Sequence, residues 1–578
     1  MLNDLKKPAC QSAIRSLDGS SHEVLLRRSW AGDVCTLALR NESAVGVRVK
    51  EVAVFCSELP LASTAPAYGE GYNMLSQYAG PVADLRCLTP HSDGGHYKLP
   101  QQPDRQTVYN LLLLMPPDTD AALIGFASCK RFAGEIRLSE QSLELVLDLE
   151  GQEIAAGAEL ELEAVFAATG EREALLAAFG DEISRRQPPL PWPEVPTGWC
   201  SWYCYGPDVT EQDVFDNLET IRQRFPELKY IQLDDGYQAH MGDWLDQHPN
   251  FPRPIRDLCH RIKDAGFEPA IWVAPFIADA DSALLRDHPD WFVQDEAGHP
   301  LPSNRDSFGG WRFAPWYMLD GTHPEAQEYL RHVFRTMRQE WQCTYFKLDA
   351  NMWGALPSGR RYDPKATRVD AYRAGMQAVL EGAGPDSFIL GCNAPMWPSI
   401  GVVHGMRTTG DIHRSWNAFT GLAEQGFYRN WQNHRLWIND PDCLVMANLI
   451  NEVVGPDGQP STNSTDISED EFSFHAAYIL ASGGMVLASD RMMELNEAHA
   501  ARLAKLVPPT GKAARFDDHR FELGRIPHAD GEIVCLFNWG DEARVAELPA
   551  ASCTDFWTGE AVSGTLTLPP RGARVVRS

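Results

Sequence analysis

Between Thr197 and Asp490 the chain runs through short apolar segments that end in polar residues, several of them separated by stretches of helical periodicity. No other feature restricts the fold so strongly. Strands that alternate with helices pair in parallel, and each crossover is right-handed. The strand candidates are 197–203 (TGWCSWY), 230–237 (YIQLDDGY), 268–276 (EPAIWVAPF), 345–351 (YFKLDAN), 388–395 (FILGCNAP), 405–411 (GMRTTGD), 435–442 (RLWINDPD) and 485–490 (MVLASD). One helix is expected from Thr210, an N-cap with Asp213 at its third position, burying Val214, Leu218, Ile221 and Phe225. Another begins near Thr322-His323-Pro324-Glu325 and carries Leu330, Val333, Phe334, Met337 and Trp341 on one face. Eight such strands predict an α/β fold, a (β/α)8 barrel with insertions. A doubly wound sheet is the runner-up, but no glycine-rich phosphate loop follows the first strand.

The flanks differ in texture. In "SLELVLDLE", Leu143, Leu145, Leu147 and Leu149 alternate with other residues, and "AELELEAVF" repeats the pattern from Ala158 to Phe166. Strict alternation predicts antiparallel sheet with one wet face, so an N-terminal β-sandwich is expected. A short helical stretch, "EREALLAAFGDEISRR", precedes "QPPLPWPEVP", whose five prolines forbid regular structure and mark a boundary. The end of the chain, with "EIVCLFNWG" and "GTLTLPP", reads as a small C-terminal β-sandwich. The expected domains are 1–190, 191–495 and 496–578.

A net charge of −28 argues against nucleic acid or an anionic membrane as a partner and favours a neutral substrate. The N-terminal residues carry no apolar run, and no stretch approaches the roughly 20 apolar residues of a membrane helix. Thirteen cysteines without a framework read as reduced thiols, and the expected location is the cytoplasm. Cys200 and Cys204 lack a second ligand pair at metal-binding spacing, so buried thiols are the simpler reading.

In such barrels the site lies at the C-terminal ends of the strands. Those ends carry Trp202 and Tyr203, Asp234 and Asp235, Trp272, Lys347 and Asp349, Cys392 and Asn393, Arg407 and Asp411, Asp440 and Asp442, and Asp490. Any one of these carboxylates could be a helix N-cap, and any one tryptophan a core residue. The recurrence over successive strands is the signal. Carboxylates with two cations and aromatic faces suit sugar chemistry, in which two carboxyls share nucleophilic and acid-base work. On "YFKLDAN", Lys347 and Asp349 share a face, so the ammonium is expected to keep Asp349 ionised, as a nucleophile must be. Asp411 follows Thr408-Thr409-Gly410 and is expected to have a raised pKa as a proton donor, unless Arg407 or Arg414 lies beside it.

Together these motifs resemble glycoside hydrolase family 36, the α-galactosidases, and the clan that also holds family 27. The resemblance covers "GWCSWY" (198–203), "QLDDGY" (232–237), "GDW" (242–244), "NFP" (250–252), "HPDW" (288–291), "KLD" (347–349), "FILGC" (388–392), "GMR" (405–407) and "NDPDCL" (439–444). It implies retaining double displacement with Asp349 as nucleophile and Asp411 as acid/base. It implies that Asp234 and Asp235 hold O4 and O6 of galactose beside the wall of Trp272. Lys347 and Arg407 match residues that bind O3 and O2, Cys392 lies in the O2 segment, and Trp202 belongs to the binding set. An aromatic from the N-terminal domain closes the pocket in the family, and "GEGYNMLSQY" makes Tyr72 the candidate. No cofactor and no metal are implied. The partner is a small α-galactoside, and self-association stays open.

Two departures stand out. Relatives often continue "GCG" where this chain has Cys392-Asn393, a bulkier amide near O2, so α-N-acetylgalactosamine or another galacto-like sugar, such as L-arabinopyranose, stays open beside galactose. Ile412-His413-Arg414 after Asp411 leaves the leaving-group side open. The expected activity is exo-acting α-galactosidase on small oligosaccharides. The alternatives are α-galactosyl transfer, α-N-acetylgalactosaminidase, a metal-dependent barrel hydrolase using His404 and His413, and a non-catalytic sugar-binding protein.

Overall fold

A computed structural model describes residues 5–578 apart from 8–9, 18–22, 59–61, 118, 455–459, 518 and 530. All eight predicted segments form strands: β1 (Thr197–Cys200), β2 (Tyr230–Leu233), β3 (Glu268–Val273), β4 (Tyr345–Leu348), β5 (Phe388–Gly391), β6 (Gly405–Arg407), β7 (Ile438–Asp440) and β8 (Val486–Ala488). They lie parallel and in sequence order, with β8 beside β1. The barrel closes between β7 and β8, where the Met485 N–H donates to the Asn439 carbonyl at 2.9 Å. Gly484 permits that approach, since a β-carbon there would stand 2.1 Å from the Asn439 oxygen. The fold is the barrel expected from the sequence.

Helices α1 (Glu211–Arg224), α2 (Ile255–Asp264), α3 (Pro324–Gln339), α4 (Arg368–Ala383), α5 (Trp416–Arg429) and α6 (Glu469–Ser482) surround it. Thr210 and Asp213 form the expected reciprocal cap on α1. The His323 side chain caps α3, which buries Leu330, Val333, Phe334 and Met337. Among the described residues, no helix is long and apolar enough to cross a membrane.

The regular alternation fails once. Between β5 and β6 stands only a single 3-10 turn, Trp397–Ser399, and no α-helix. The N-terminal domain covers this flank instead. Its thirteen strands, between Gln11 and Gly170, pair into one antiparallel sheet, with Leu143, Leu145, Leu147 and Leu149 in its core. From that sheet, Met74 N–H donates to the Ala394 carbonyl at 2.9 Å, and Tyr72 C=O accepts from Met396 N–H at 2.8 Å. The Trp397 indole N–H reaches the Phe126 carbonyl at 2.7 Å. The helix Arg172–Arg186 follows, with Phe179 packed against Trp397. Six C-terminal strands, between Arg515 and Arg577, form a second antiparallel sheet against α6.

One ion pair ties the N-terminal sheet to the barrel. Arg429, at the end of α5, donates from Nη2 to Glu70 Oε2 at 2.7 Å, and both side chains are fully buried. The same guanidinium donates to the carbonyls of Met74 and Thr408, at 2.6 and 2.9 Å. Tyr68 and Gln432 donate to Glu70 as well, so its lone pairs are occupied. A buried pair that loses one partner leaves an uncompensated charge, a loss of about 3–5 kcal/mol. Glu70→Ala should therefore lower unfolding stability by about that amount in denaturant titrations. A change within about 0.5 kcal/mol, ordinary for surface substitutions, would show that the pair does not hold the domains together.

Candidate active site

The strand ends converge on one cavity of about 670 Å³, whose lining includes Trp202, Asp234, Asp235, Trp272, Lys347, Asp349, Cys392, Asn393 and Asp411. That volume suits a small ligand. Arg407 lies directly behind Asp411, and Tyr72 lies outside the lining.

Asp349 stands one residue beyond β4. Ala350 then takes a left-handed conformation (φ 51°), which ends the strand and turns its own N–H back onto Asp349 Oδ1 at 2.7 Å. The alternation of "YFKLDAN" thus stops at Leu348, and Asn351 does not share the face of Lys347. Its amide donates to the carbonyls of Leu348 and Cys392, which fixes the loop between the ends of β4 and β5. From β3, the Trp272 indole N–H donates to Asp349 Oδ2 at 3.1 Å.

Lys347 turns to Asp234, with Nζ 2.9 Å from Oδ2. Burial works against the ammonium, but the charge of Asp234 and its neighbours holds it protonated. Gln232 adds a 2.7 Å hydrogen bond to the same oxygen. Asp235 accepts from Gln238 at 2.7 Å, from the Trp311 indole at 3.3 Å, and from Arg312 Nη1. Burial pushes its carboxyl up, against the pull of Arg312. Trp311 and Arg312 were not foreseen. They belong to an insertion between β3 and α3 without any periodicity, and only its return over Asp235 reveals them.

Asp411 extends from the loop after β6. Arg407 Nη2 donates to its Oδ1 at 2.8 Å, and the Tyr203 hydroxyl does so at 3.1 Å. Arg407 also holds Asp442, whose Oδ2 lies 2.7 Å from the Tyr203 hydroxyl and shares its single proton with Asp411, while the Ile412 N–H adds a bond of 2.7 Å. Asp440 accepts from the Asp442 N–H at 3.0 Å. Asp490 serves the scaffold, receiving Arg414 at 2.7 Å and the N–H groups of Met446 and Ala447.

For Asp349 the shift runs opposite to the one expected from sequence, and for Asp411 the case with Arg407 beside it holds. Burial raises the Asp349 carboxyl, and the more distant charge of Lys347 with the Trp272 bond does not offset it. Burial also acts to raise Asp411, but Arg407 first, then Lys347 and the Tyr203 hydrogen bond, bring it below the ordinary carboxylate range. Its carboxylate is 57% exposed, yet that exposure is to the cavity, within protein walls, so the Arg407 charge is only partly screened. Asp442, enclosed and crowded by carboxylates, is pushed up to about 6 despite Arg407.

The N-terminal domain supplies the outer wall, though not through Tyr72. The Tyr72 ring is fully buried under the Arg368 guanidinium, 5.0 Å from it, and its N–H is bound by Asp93 at 3.0 Å. The loop presents Met74 and Leu75 to the cavity instead, with His91 and His96 beside them. His96 stacks on Phe308 at 3.8 Å, and burial lowers its pKa to about 4. His413 lines the cavity, whereas His404 accepts the Ile389 N–H behind β5 and packs on Trp192, so the two histidines do not converge.

Arg407, fully buried between two carboxylates, is a structural ion as well as a site residue. Arg407→Met should cost about 3–5 kcal/mol of unfolding stability. Asp411→Asn, at a cavity-facing position, should stay within about 1 kcal/mol of the parent. Denaturant titration of both variants checks the contrast, and equal losses would contradict it.

The melibiase family model matches residues 214–382. The mouse myogenesis-regulating glycosidase is 31% identical over 160 residues, 28% of this chain and 22% of that protein. The α-galactosidase of Escherichia coli is 30% identical over 126 residues, 21% of this chain and 16% of that one. The chain thus spans under a quarter of the length of these curated relatives. Among solved structures, α-galactosidase from Thermus thermophilus, in complex with p-nitrophenyl α-D-galactopyranoside, superimposes with a TM-score of 0.62 at 22% identity, covering 87% of this chain and 98% of that one. The GH36 α-galactosidase AgaA of Geobacillus stearothermophilus, in complex with raffinose, gives 0.64 at 13% identity, covering 96% and 81%.

Proposed function

We propose that this chain, whose barrel is that of glycoside hydrolase family 36, the α-galactosidases, releases terminal α-linked galactose from small oligosaccharides with retention of configuration. One observation carries the reading. Asp349 and Asp411 face a single cavity, the first held in its floor by Trp272 and Ala350, the second open to it and gripped only from behind. The floor position suits a nucleophile beneath an anomeric carbon. The open position suits a group that must reach first a leaving oxygen and then a water.

In the first step, an Asp349 oxygen attacks the anomeric carbon as Asp411 gives its proton to the departing glycosidic oxygen. In the second, Asp411 removes a proton from water, the water oxygen displaces Asp349, and galactose leaves with its original anomeric configuration. Asp234 and Asp235 supply acceptors for hydroxyls, and Lys347, Arg312 and Trp311 supply donors around them. Trp272 both walls the sugar and steadies Asp349. The raffinose and stachyose complexes of relatives support a small neutral α-galactoside as substrate, in keeping with the charge of −28.

Asp349→Gly should lower kcat by about 10⁴-fold or more on p-nitrophenyl α-galactoside, and added azide should restore turnover as the β-galactosyl azide. Parental activity in that variant would remove Asp349 from the reaction. The pH profile follows from the two shifts. Asp349 must be ionised although its pKa is raised, and Asp411 protonated although its pKa is lowered, so the productive form is a minority at every pH. Its population rises with pH up to the Asp411 pKa, is level between the two, and falls above the Asp349 pKa. Tyr203→Phe removes a hydrogen bond that favours ionised Asp411, so kcat/KM on the plateau should rise and the acid limb should move to higher pH. A lower plateau with the acid limb moved to lower pH would contradict this assignment.

A further inference from the structure

Gln425, on α5, lines the cavity although only 4% of it is exposed. The Gly410 N–H, one residue before Asp411, donates to its Oε1 at 2.7 Å. A backbone N–H can only donate, so the carboxamide is oriented, with its oxygen to Gly410 and its NH2 group at the other end. Nε2 lies beside Gly421, where a β-carbon would stand 3.7 Å from it. Gly421 lines the same cavity, and its missing side chain leaves that approach open. Among the described residues, no protein acceptor meets the Gln425 NH2 group. At Gly410 two neighbours grip one peptide. Gln425 takes the N–H, and Arg407 Nη2 donates to the carbonyl at 3.1 Å. The backbone that carries Asp411 into the cavity is thereby fixed from both sides, and losing the Gln425 oxygen removes one of the two restraints.

The order of the strands says what lies against this wall. Round the eight-stranded ring, β6 stands opposite β2. The end of β2 carries Asp234 and Asp235, which with Lys347, Trp311 and Arg312 form the cluster suited to sugar hydroxyls. Asp411 and α5 make the facing wall, with His413, Ser415 and Asn417 along it. A glycosidic bond cleaved between the two walls leaves the retained sugar on the first. The departing group lies on the second, beside the proton donor and the Gln425 amide.

Resting on the galactosidase reading, we propose that Gln425 is a positioning residue for Asp411, and that its NH2 group donates a hydrogen bond to a hydroxyl of the departing sugar. One carboxamide then does two things at its two ends. The oxygen sets where the acid/base carboxylate stands, and the nitrogen reads what that carboxylate protonates. A leaving group that needs a proton but carries no hydroxyl gains from the first end alone. A leaving group that needs no proton gains from neither.

The test compares α-galactosyl fluoride, methyl α-galactoside and melibiose on the full-length parent, Q425M and Q425E. Fluoride departs without a proton, methanol needs one, and the glucose of melibiose needs one and also offers hydroxyls. Q425M should lose less than about threefold in kcat/KM on the fluoride and about 10- to 100-fold on methyl α-galactoside. On melibiose it should lose a further factor of about three to ten, the worth of one hydrogen bond. Q425E keeps an acceptor for the Gly410 N–H but not the donor. It should regain most of the methyl α-galactoside rate and retain the extra loss on melibiose. Equal losses of Q425M on all three substrates would mark a merely structural side chain and overturn the proposal. So would equal losses on methyl α-galactoside and melibiose. Where Q425M does not fold, Q425E decides, and a parental ratio of melibiose to methyl α-galactoside rates overturns the proposal. A parent inactive on all three substrates would instead overturn the galactosidase reading, which separates the two failures.

Discussion

The buried pair of Glu70 and Arg429 is the contact on which the rest of the molecule depends. A (β/α)8 barrel normally covers each gap between strands with a helix. Here the gap after β5 has only a 3-10 turn, and its residues pair with the N-terminal loop around Tyr72 to Met74. Arg429 reaches Glu70, Met74 and Thr408 from one guanidinium, so the loop, the N-terminal sheet and the end of β6 are fixed together. The same loop carries Met74 and Leu75 into the cavity and Asn73 onto Asn393. Domain docking and the shape of the cavity are therefore one structural event.

A second knot, around Arg407, governs charge. Its Nη2 serves both Asp411 and Asp442, and Tyr203 bridges the same two carboxylates. Asp442 is enclosed and keeps its place as scaffold. Asp411 leans into the cavity, where Arg407 and the Tyr203 hydrogen bond hold its carboxyl below the ordinary carboxylate range.

How far the sequence led follows from what each signal measures. Hydrophobic periodicity reports strands and helices directly, and all eight barrel strands, the Thr210 cap and the start of α3 stand where the pattern put them. The convergence of Asp234, Asp235, Lys347, Asp349 and Asp411 was legible because strand ends of one barrel must meet. Partners were less so. Lys347 is two residues from Asp349, yet its ammonium goes to Asp234. Arg407 is four residues from Asp411 and grips it. Sequence spacing gives the direction of a side chain, not the end point of a long flexible one. The Trp311-Arg312 return, and the use of Met74 and Leu75 in place of Tyr72, depend on tertiary packing with no periodic trace.

The central claim is that Asp349 forms the covalent bond to the sugar. The measurement closest to it is peptide mapping after incubation with a slow-turnover 5-fluoro-α-galactosyl fluoride. The account predicts one galactosyl adduct, on the peptide containing Tyr345 to Asn351 and localised to Asp349 by fragmentation. An adduct on Asp411 or on any other carboxylate, or steady inactivation without an adduct, would contradict it.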